Sequence, residues 1–225
     1  MRVFVAAYIF LLGSVPIVAQ ASQSAPAAAP AKTTAPAPQA NISDIGFSYR
    51  LPADWETVPE PQPPAPSPDV IANPKLATVK KGTACTQIVF TAKQATPASV
   101  VVIVALPFAC YGQTMTASDL PGFGAGAAEE LKETFEVAAD PVQGNYSLGS
   151  HSVWIERAKG TPKGHPESQY TFEIVCTVLE KGAACWMAMA ADSASLQAFE
   201  QGAVSLDGEP ATALVPASAL SGKPQ

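Results

Sequence analysis

The 225-residue chain carries a formal net charge of −6 at pH 7, with 13 basic residues against 19 acidic ones. An acidic chain without a basic cluster is poorly suited to phosphate backbones or anionic lipid surfaces, so we expect no nucleic-acid partner. Its length fits one domain with shorter flanking segments.

The N-terminal residues have the pattern of an export signal. Arg2 precedes an apolar run from Val3 to Leu12, and small residues stand at Ala19 and Ala21. This pattern predicts a cleavable signal peptide over residues 1–21. An uncleaved anchor is disfavoured because the run falls short of the roughly 20 apolar residues that a bilayer span needs. We therefore expect a secreted or periplasmic product with no transmembrane anchor after cleavage.

Composition divides the remainder of the chain into three segments. Residues 22–40 consist almost wholly of Ala, Pro, Ser, Thr and Gln, which is typical of a disordered linker. Residues 41–208 have the apolar patterning of a single domain. Residues 209–225 again contain small residues and Pro, and we expect a flexible tail there.

The first half of the domain predicts strands followed by a helix. Phe47 to Leu51 alternates apolar and polar residues, as a half-buried strand does. Thr86–Ala92 and the continuous apolar run Val100–Leu106 predict a hairpin whose second strand is covered on both faces. Ser118 and Asp119 then provide a helix cap. The helix that follows carries an apolar stripe at helical spacing, comprising Leu120, Phe123, Ala127, Leu131 and Phe135.

The second half predicts further strands and a final helix. Strands are expected at Tyr146–Leu148 and His151–Lys159, followed by a hairpin of Tyr170–Leu179 and Ala183–Ala190. Asp192 caps a last helix whose core-facing residues are Leu196, Phe199 and Val204. Long antiparallel strands with two helices indicate an α+β fold, in which the helices pack on a mostly antiparallel sheet.

The four cysteines predict two structural disulfides. They are Cys85, Cys110, Cys176 and Cys185. Four cysteines in an exported chain allow three pairings, and strand register selects among them. A turn at Glu180 and Lys181 places Cys176 opposite Cys185, and a turn near Pro97 likewise pairs Cys85 with Cys110. A catalytic or redox thiol is disfavoured because the chain has no CxxC motif and no lone cysteine with a histidine partner.

Motifs for known chemistry are missing from the sequence. The two histidines, His151 and His165, stand 14 positions apart and have no zinc-ligand spacing, so we expect no metal site and no cofactor. The chain also lacks a GxSxG nucleophile motif and a P-loop. Trp55 and Tyr111 are the candidate binding-surface residues, because Trp55 follows a turn and is expected to be partly exposed.

One segment carries a family resemblance. Residues Gly46–Trp55 read GFSYRLPADW, and they resemble the start of PsbP-like domains, the family of the extrinsic photosystem II subunit with exported bacterial relatives. The resemblance implies an α–β–α sandwich with a central, mostly antiparallel sheet and two main helices. It also implies a non-enzymatic role in binding or stabilising protein partners at or outside a membrane. No functional residue of the family carries over to this sequence.

These observations favour an exported, monomeric, non-enzymatic binding or accessory protein, with an unknown protein or envelope component as its partner. The alternative is a secreted hydrolase that uses an unrecognised carboxylate-based site. A purely structural envelope protein is the third hypothesis.

Overall fold

The computed structural model describes residues 37–59 and 87–216, together with residue 219. The helices are α1 (Phe108–Tyr111), α2 (Leu120–Thr134) and α3 (Ser193–Glu200), with 3-10 turns at Ser43–Ile45 and Ala117–Asp119. In chain order the strands are β1 (Gln39–Ile42), β2 (Phe47–Arg50), β3 (Glu56–Thr57), β4 (Gln87–Gln94), β5 (Ser99–Pro107), β6 (Phe135–Val137), β7 (Val142–Leu148), β8 (His151–Pro162), β9 (Tyr170–Val178), β10 (Gly182–Ala190), β11 (Ala203–Leu206) and β12 (Thr212–Ala213). None of the helices in the described part of the chain is long and apolar enough to cross a membrane.

The strands form two antiparallel sheets. The large sheet has eight strands in the order β3–β4–β5–β10–β9–β8–β6, with β7 also paired to β8. The small sheet has the order β1–β2–β11–β12. An α+β fold with antiparallel strands is therefore present, as the sequence predicts.

The β9–β10 hairpin has the predicted register. Cys185 lies opposite Cys176, Met187 opposite Ile174, and Met189 opposite Phe172. These three pairs share one face of the sheet, because side chains alternate between faces along a strand. A slip of one residue would move the whole apolar set to the other face, so the pattern fixes the register.

The large sheet is covered differently on its two faces, and this corrects the expected α–β–α sandwich. Helix α2 packs on one face, against Trp154 and Ile174. The opposite face packs on the small sheet and α3, through a core that includes Phe47 and Trp186. The second layer is thus mainly a sheet. The physical reason is that β2 pairs with β11 rather than with the large sheet. The pair of strands forms its own layer, and Phe47 of β2 is buried beneath it.

The Asp192 cap of α3 is present as predicted, whereas Asp119 precedes α2 without a side-chain capping hydrogen bond to that helix. A reciprocal capping box joins Thr116 and Asp119 before α2, and the Asp192 carboxylate accepts a 2.8 Å hydrogen bond from the Ser195 amide before α3. Two further differences lie at the C-terminal ends of the helices. Phe135 begins β6 and Val204 lies in β11, so neither residue belongs to a helix. Both residues are nevertheless buried.

The described fold extends past residues 41–208 at both ends. Strand β1 begins at Gln39, within the predicted linker. Leu214 and Val215, within the predicted tail, are fully buried, and the Val215 amide donates to the Glu200 carbonyl at 3.0 Å. The predicted signal peptide over residues 1–21 lies outside the described residues, as does most of the linker.

Candidate functional site

The structure buries one of the two aromatic residues that the sequence selects as a binding surface. Trp55 is only 7% exposed and belongs to the core between the two sheets, so its predicted exposure is wrong. The turn before it contains Asp54 at a φ of 85°, after which Glu56 and Thr57 pair with β4 and direct the indole inward. Tyr111 is the last residue of α1, and its side chain lies outside the described part of the structure.

The cysteines serve as cross-links. A disulfide joins Cys176 and Cys185 across β9 and β10, on the face that α2 covers. Both side chains are buried, which shields the bond from reductants and thiols. Cys110 is also disulfide-bonded, while its predicted partner Cys85 lies outside the described residues. The described cysteines include no free thiol, so a nucleophilic or redox cysteine has no support among them.

Two carboxylates converge on one guanidinium, which sequence reasoning missed. Arg157 Nε lies 2.5 Å from Glu173 Oε2, and the other side of the guanidinium contacts Glu200. Glu173 is fully buried and Glu200 is 8% exposed, so the cluster sits at the edge of the core between the sheets. Glu173 Oε1 has no hydrogen-bond partner in the described structure. The arrangement links β8, β9 and α3 through charge.

The cluster has unusual protonation behaviour. Burial raises the pKa of Glu173 to about 8; Arg157 opposes this rise and Glu200 adds to it. Burial, and then the charge of Glu173, raise the pKa of Tyr49 and Tyr146 as well. One guanidinium cannot neutralise two carboxylates, so burial beside Glu200 favours the protonated form of Glu173. Because a substrate cannot reach Glu173, this pair is suited to a structural role.

His151 takes part in a second polar cluster, which is partly buried. Its Nε2 lies 3.6 Å from Asp207 Oδ2 and 3.9 Å from Glu209 Oε1. Glu209 also accepts a 2.5 Å hydrogen bond from the Ser150 hydroxyl. Together these contacts tie the start of β8 to the segment that follows β11. Groups of three or more side chains arranged to hold a metal are not found among the described residues.

Helix α2 leaves space beside it on the sheet, and three glycines explain how. Gly124 lies against Trp154 so closely that an added Cβ would overlap the indole ring. A Cβ added at Gly122 or Gly126 would meet no atom within 4 Å. The helix therefore approaches the sheet at Gly124 and borders open space at Gly122 and Gly126.

The first space, which we call the apolar groove, lies between the N-terminal half of α2 and strands β5 and β10. Its volume is about 350 Å³. The apolar lining consists of Val104, Leu106, Phe108, Met115, Phe123, Ala127, Cys185 and Met187. Asp119, Gln113 and Thr114 provide its polar groups. Methionine side chains adapt to differently shaped partners, so Met115 and Met187 suit this groove to contact with another molecule.

The second space, which we call the acidic groove, lies between the C-terminal half of α2, the β6–β7 connection and strands β8 and β9. Its volume is about 730 Å³. The lining is mainly apolar and includes Leu131, Val137, Phe172 and Ile174. Glu156 also lines this groove. Neither groove is lined by Glu173 or Glu200. The converging carboxylates and the accessible spaces are thus separate features.

Comparison with known proteins adds a distant structural similarity. No protein-family model and no curated protein sequence matches the chain. A solution structure of cyanobacterial PsbP from Synechocystis sp. PCC 6803 matches 74% of this chain and 86% of its own, with 8% sequence identity and a TM-score of 0.43. That similarity is too distant to place the chain in the PsbP family, whose resemblance rests on residues Gly46–Trp55.

Proposed function

We propose that this chain is an exported, non-enzymatic accessory domain that binds a protein partner at the apolar groove beside α2. The observation that carries the proposal is the open space at Gly122 and Gly126, bordered by apolar side chains of β5 and β10. Apolar surface that a fold leaves uncovered next to polar groups is a common feature of interaction sites. Asp119 and Gln113 stand beside this groove as such polar groups.

Export is part of the same proposal. The chain begins with the pattern of a signal peptide, and the disulfide between Cys176 and Cys185 is of a kind that persists in oxidising compartments. Intact-mass measurement of the native product, isolated outside the cytoplasm, should show that residues 1–21 have been removed and that no cysteine reacts with a thiol reagent. An unprocessed N-terminus with four free thiols would contradict export.

The carboxylate-based hydrolase receives no support from the residues that converge. Glu173 and Glu200 are buried and bound to Arg157, and neither lines a groove. A general acid and base must reach the substrate within hydrogen-bond distance. The non-enzymatic role is therefore the better account of this pair.

Site-specific photo-crosslinking tests the binding role. A photoreactive amino acid at Gly122 lies in the apolar groove, whereas one at the exposed residue Gln197 of α3 lies in the opposite layer. We expect a discrete crosslinked partner in the native envelope or medium from position 122, with none from position 197. Equal products from both positions, or none from either, would overturn the proposal.

A further inference from the structure

Glu156 is a buried carboxylate that lines the acidic groove. The residue is 7% exposed and belongs to β8, on the same face of the sheet as Trp154. Its Oε2 accepts a 2.8 Å hydrogen bond from Gln143 Nε2 on the neighbouring strand β7. Gln143 lines the same groove, so the two side chains form a polar point in an otherwise apolar wall.

The charge of Glu156 has no counter-ion in the described part of the chain. Among the described residues, the Gln143 amide supplies the one hydrogen bond to its carboxylate, and no Lys, Arg or His forms an ion pair with it. Lys132 lines the same groove, but its Nζ lies 2.7 Å from Glu129 Oε2. Glu173, by contrast, is paired with Arg157. Buried carboxylates are almost always paired, so Glu156 is an exception that needs an explanation.

The groove has the size and lining of a small-molecule site. Its volume of about 730 Å³ lies within the usual range for such sites. Most of its wall comes from alanine and larger apolar side chains, including Leu131, Val137 and Phe172. Small-molecule sites typically combine an apolar wall with a few polar groups that orient the ligand. Glu156 and Gln143 provide such groups.

We propose that the acidic groove binds a small organic cation, a protonated amine on an apolar stem, whose ammonium group pairs with Glu156. The ammonium donates to the carboxylate, while the Gln143 amide holds the carboxylate in place from the other strand. The stem lies against Leu131 and Phe172. The ion pair of Lys132 with Glu129 leaves Glu156 as the unbalanced charge of the groove, so anionic ligands are repelled.

This inference goes beyond the proposed function, because it concerns a different ligand class and a different groove. Gly126 lines both grooves, and residues 125–128 of α2 form the helical segment between them. The cation site nevertheless depends on Glu156, whereas the protein-binding groove depends on residues near Gly122. Failure of one proposal therefore leaves the other standing.

Three ligands with the same six-carbon stem test the inference on the purified, disulfide-bonded chain. Hexylammonium, hexanol and hexanoate differ only in the charge of the head group. Titration is followed by amide chemical-shift changes in NMR spectra. We expect hexylammonium to shift amides around Ala128 and Ala158, which line the groove, and to bind at least about tenfold more tightly than hexanol. Hexanoate should not bind.

Matched variants locate the charge that is responsible. Glu156→Gln retains the size of the side chain and should weaken hexylammonium binding by about tenfold or more. Glu56→Gln makes the same change at an exposed position of β3 and should have no effect. The proposal would be overturned if hexylammonium did not bind, or if it bound no more tightly than hexanol. It would also be overturned if Glu156→Gln left binding unchanged, or if the shifted amides lay outside the groove. If Glu156→Gln fails to fold, the head-group comparison on the unaltered chain decides alone.

Discussion

The two faces of the large sheet are built for different purposes. On the face toward the small sheet, Trp186 is fully buried, and its ring centroid lies 5.0 Å from that of Phe47 and 6.1 Å from that of Tyr49. The Tyr49 hydroxyl donates to the Phe199 carbonyl of α3 at 3.0 Å, so even its polar atom is satisfied. On the other face, one 15-residue helix crosses a much wider sheet and leaves two grooves.

The difference follows from what covers each face. A sheet packed against a sheet can cover its partner along whole strands, and aromatic side chains then fill the layer between them. A single helix covers only a stripe about 10 Å wide. We call the face toward the small sheet the closed face and the face toward α2 the open face. The closed face therefore holds the fold together, and the open face retains surface that a partner or ligand can cover.

The largest effect is expected on the closed face. Trp186→Ala removes a fully buried indole, and it should lower the free energy of unfolding by about 3–5 kcal/mol. Met187→Ala, one position further along β10, points to the face of α2 and lies against the partly open groove. Met187→Ala should therefore lower the free energy of unfolding by clearly less than Trp186→Ala. Urea unfolding of both variants measures the two values, and equal losses would remove the contrast between the faces.

The disulfide should contribute the next largest effect. Replacing Cys176 and Cys185 together by alanine avoids a free thiol and releases the short loop that the bond closes. The expected loss of unfolding free energy is about 2–3 kcal/mol, from the greater freedom of the unfolded chain. Thermal or urea unfolding tests this value. A double variant as stable as the parent would show that the β9–β10 register holds without the cross-link.

The buried carboxylates predict a pH dependence that belongs to the closed face. The folded-state pKa of Glu173, about 8, lies above its unfolded value of 4.5, so the native state binds the extra proton between these values. Stability from this group is therefore complete below the unfolded pKa and declines as the pH rises toward the folded one. Most of this decline should fall between pH 5 and pH 8, the interval in which the folded state holds a proton that the unfolded state has lost.

Glu173→Gln tests that dependence, because glutamine resembles the protonated acid and does not titrate. Its unfolding free energy should vary less between pH 5 and pH 8 than that of the parent. Glu180→Gln changes an exposed glutamate at the β9–β10 turn and should leave the parent's pH profile unaltered. A parent whose stability rises over this interval would have the opposite sign and would contradict the shifted pKa of Glu173.

The smallest effects distinguish the glycines of α2. Gly126→Ala adds a methyl group into open space and improves helix propensity, so stability should rise by about 0.5–1 kcal/mol. Gly124→Ala would drive a methyl group into Trp154 and should lower stability by about 1 kcal/mol or more. Thermal unfolding compares the pair. The same sign at both positions would show that α2 does not lie on the sheet as described.

Local patterns in the sequence account for much of the open face. The β9–β10 register follows from the alternation of Phe172, Ile174 and Cys176. Glu156 could also have been noticed. It stands two positions after Trp154 in a predicted strand, and therefore shares an apolar face on which a charge is unexpected. The groove beside it could not be predicted, because its walls come from α2, the β6–β7 connection and the sheet.

The closed face could not be predicted from local patterns, because it depends on contacts between residues far apart in the chain. Nothing local indicates that Phe47 pairs with Leu206, or that Glu200 approaches Arg157 across the fold. Trp55 follows a turn, where exposure is the ordinary expectation, and only the pairing of Glu56 with Lys93 shows why the indole is buried.

The sequence alone determined the antiparallel hairpins, the apolar stripe of α2 and the cap of α3, since each depends on side-chain periodicity or on hydrogen bonds between near neighbours. The tertiary structure decided the second sheet, the burial of Trp55 and the pairing of Glu173 with Glu200 on Arg157. These features require segments far apart in the chain to meet, and the free energy that joins them comes from the packed layer as a whole.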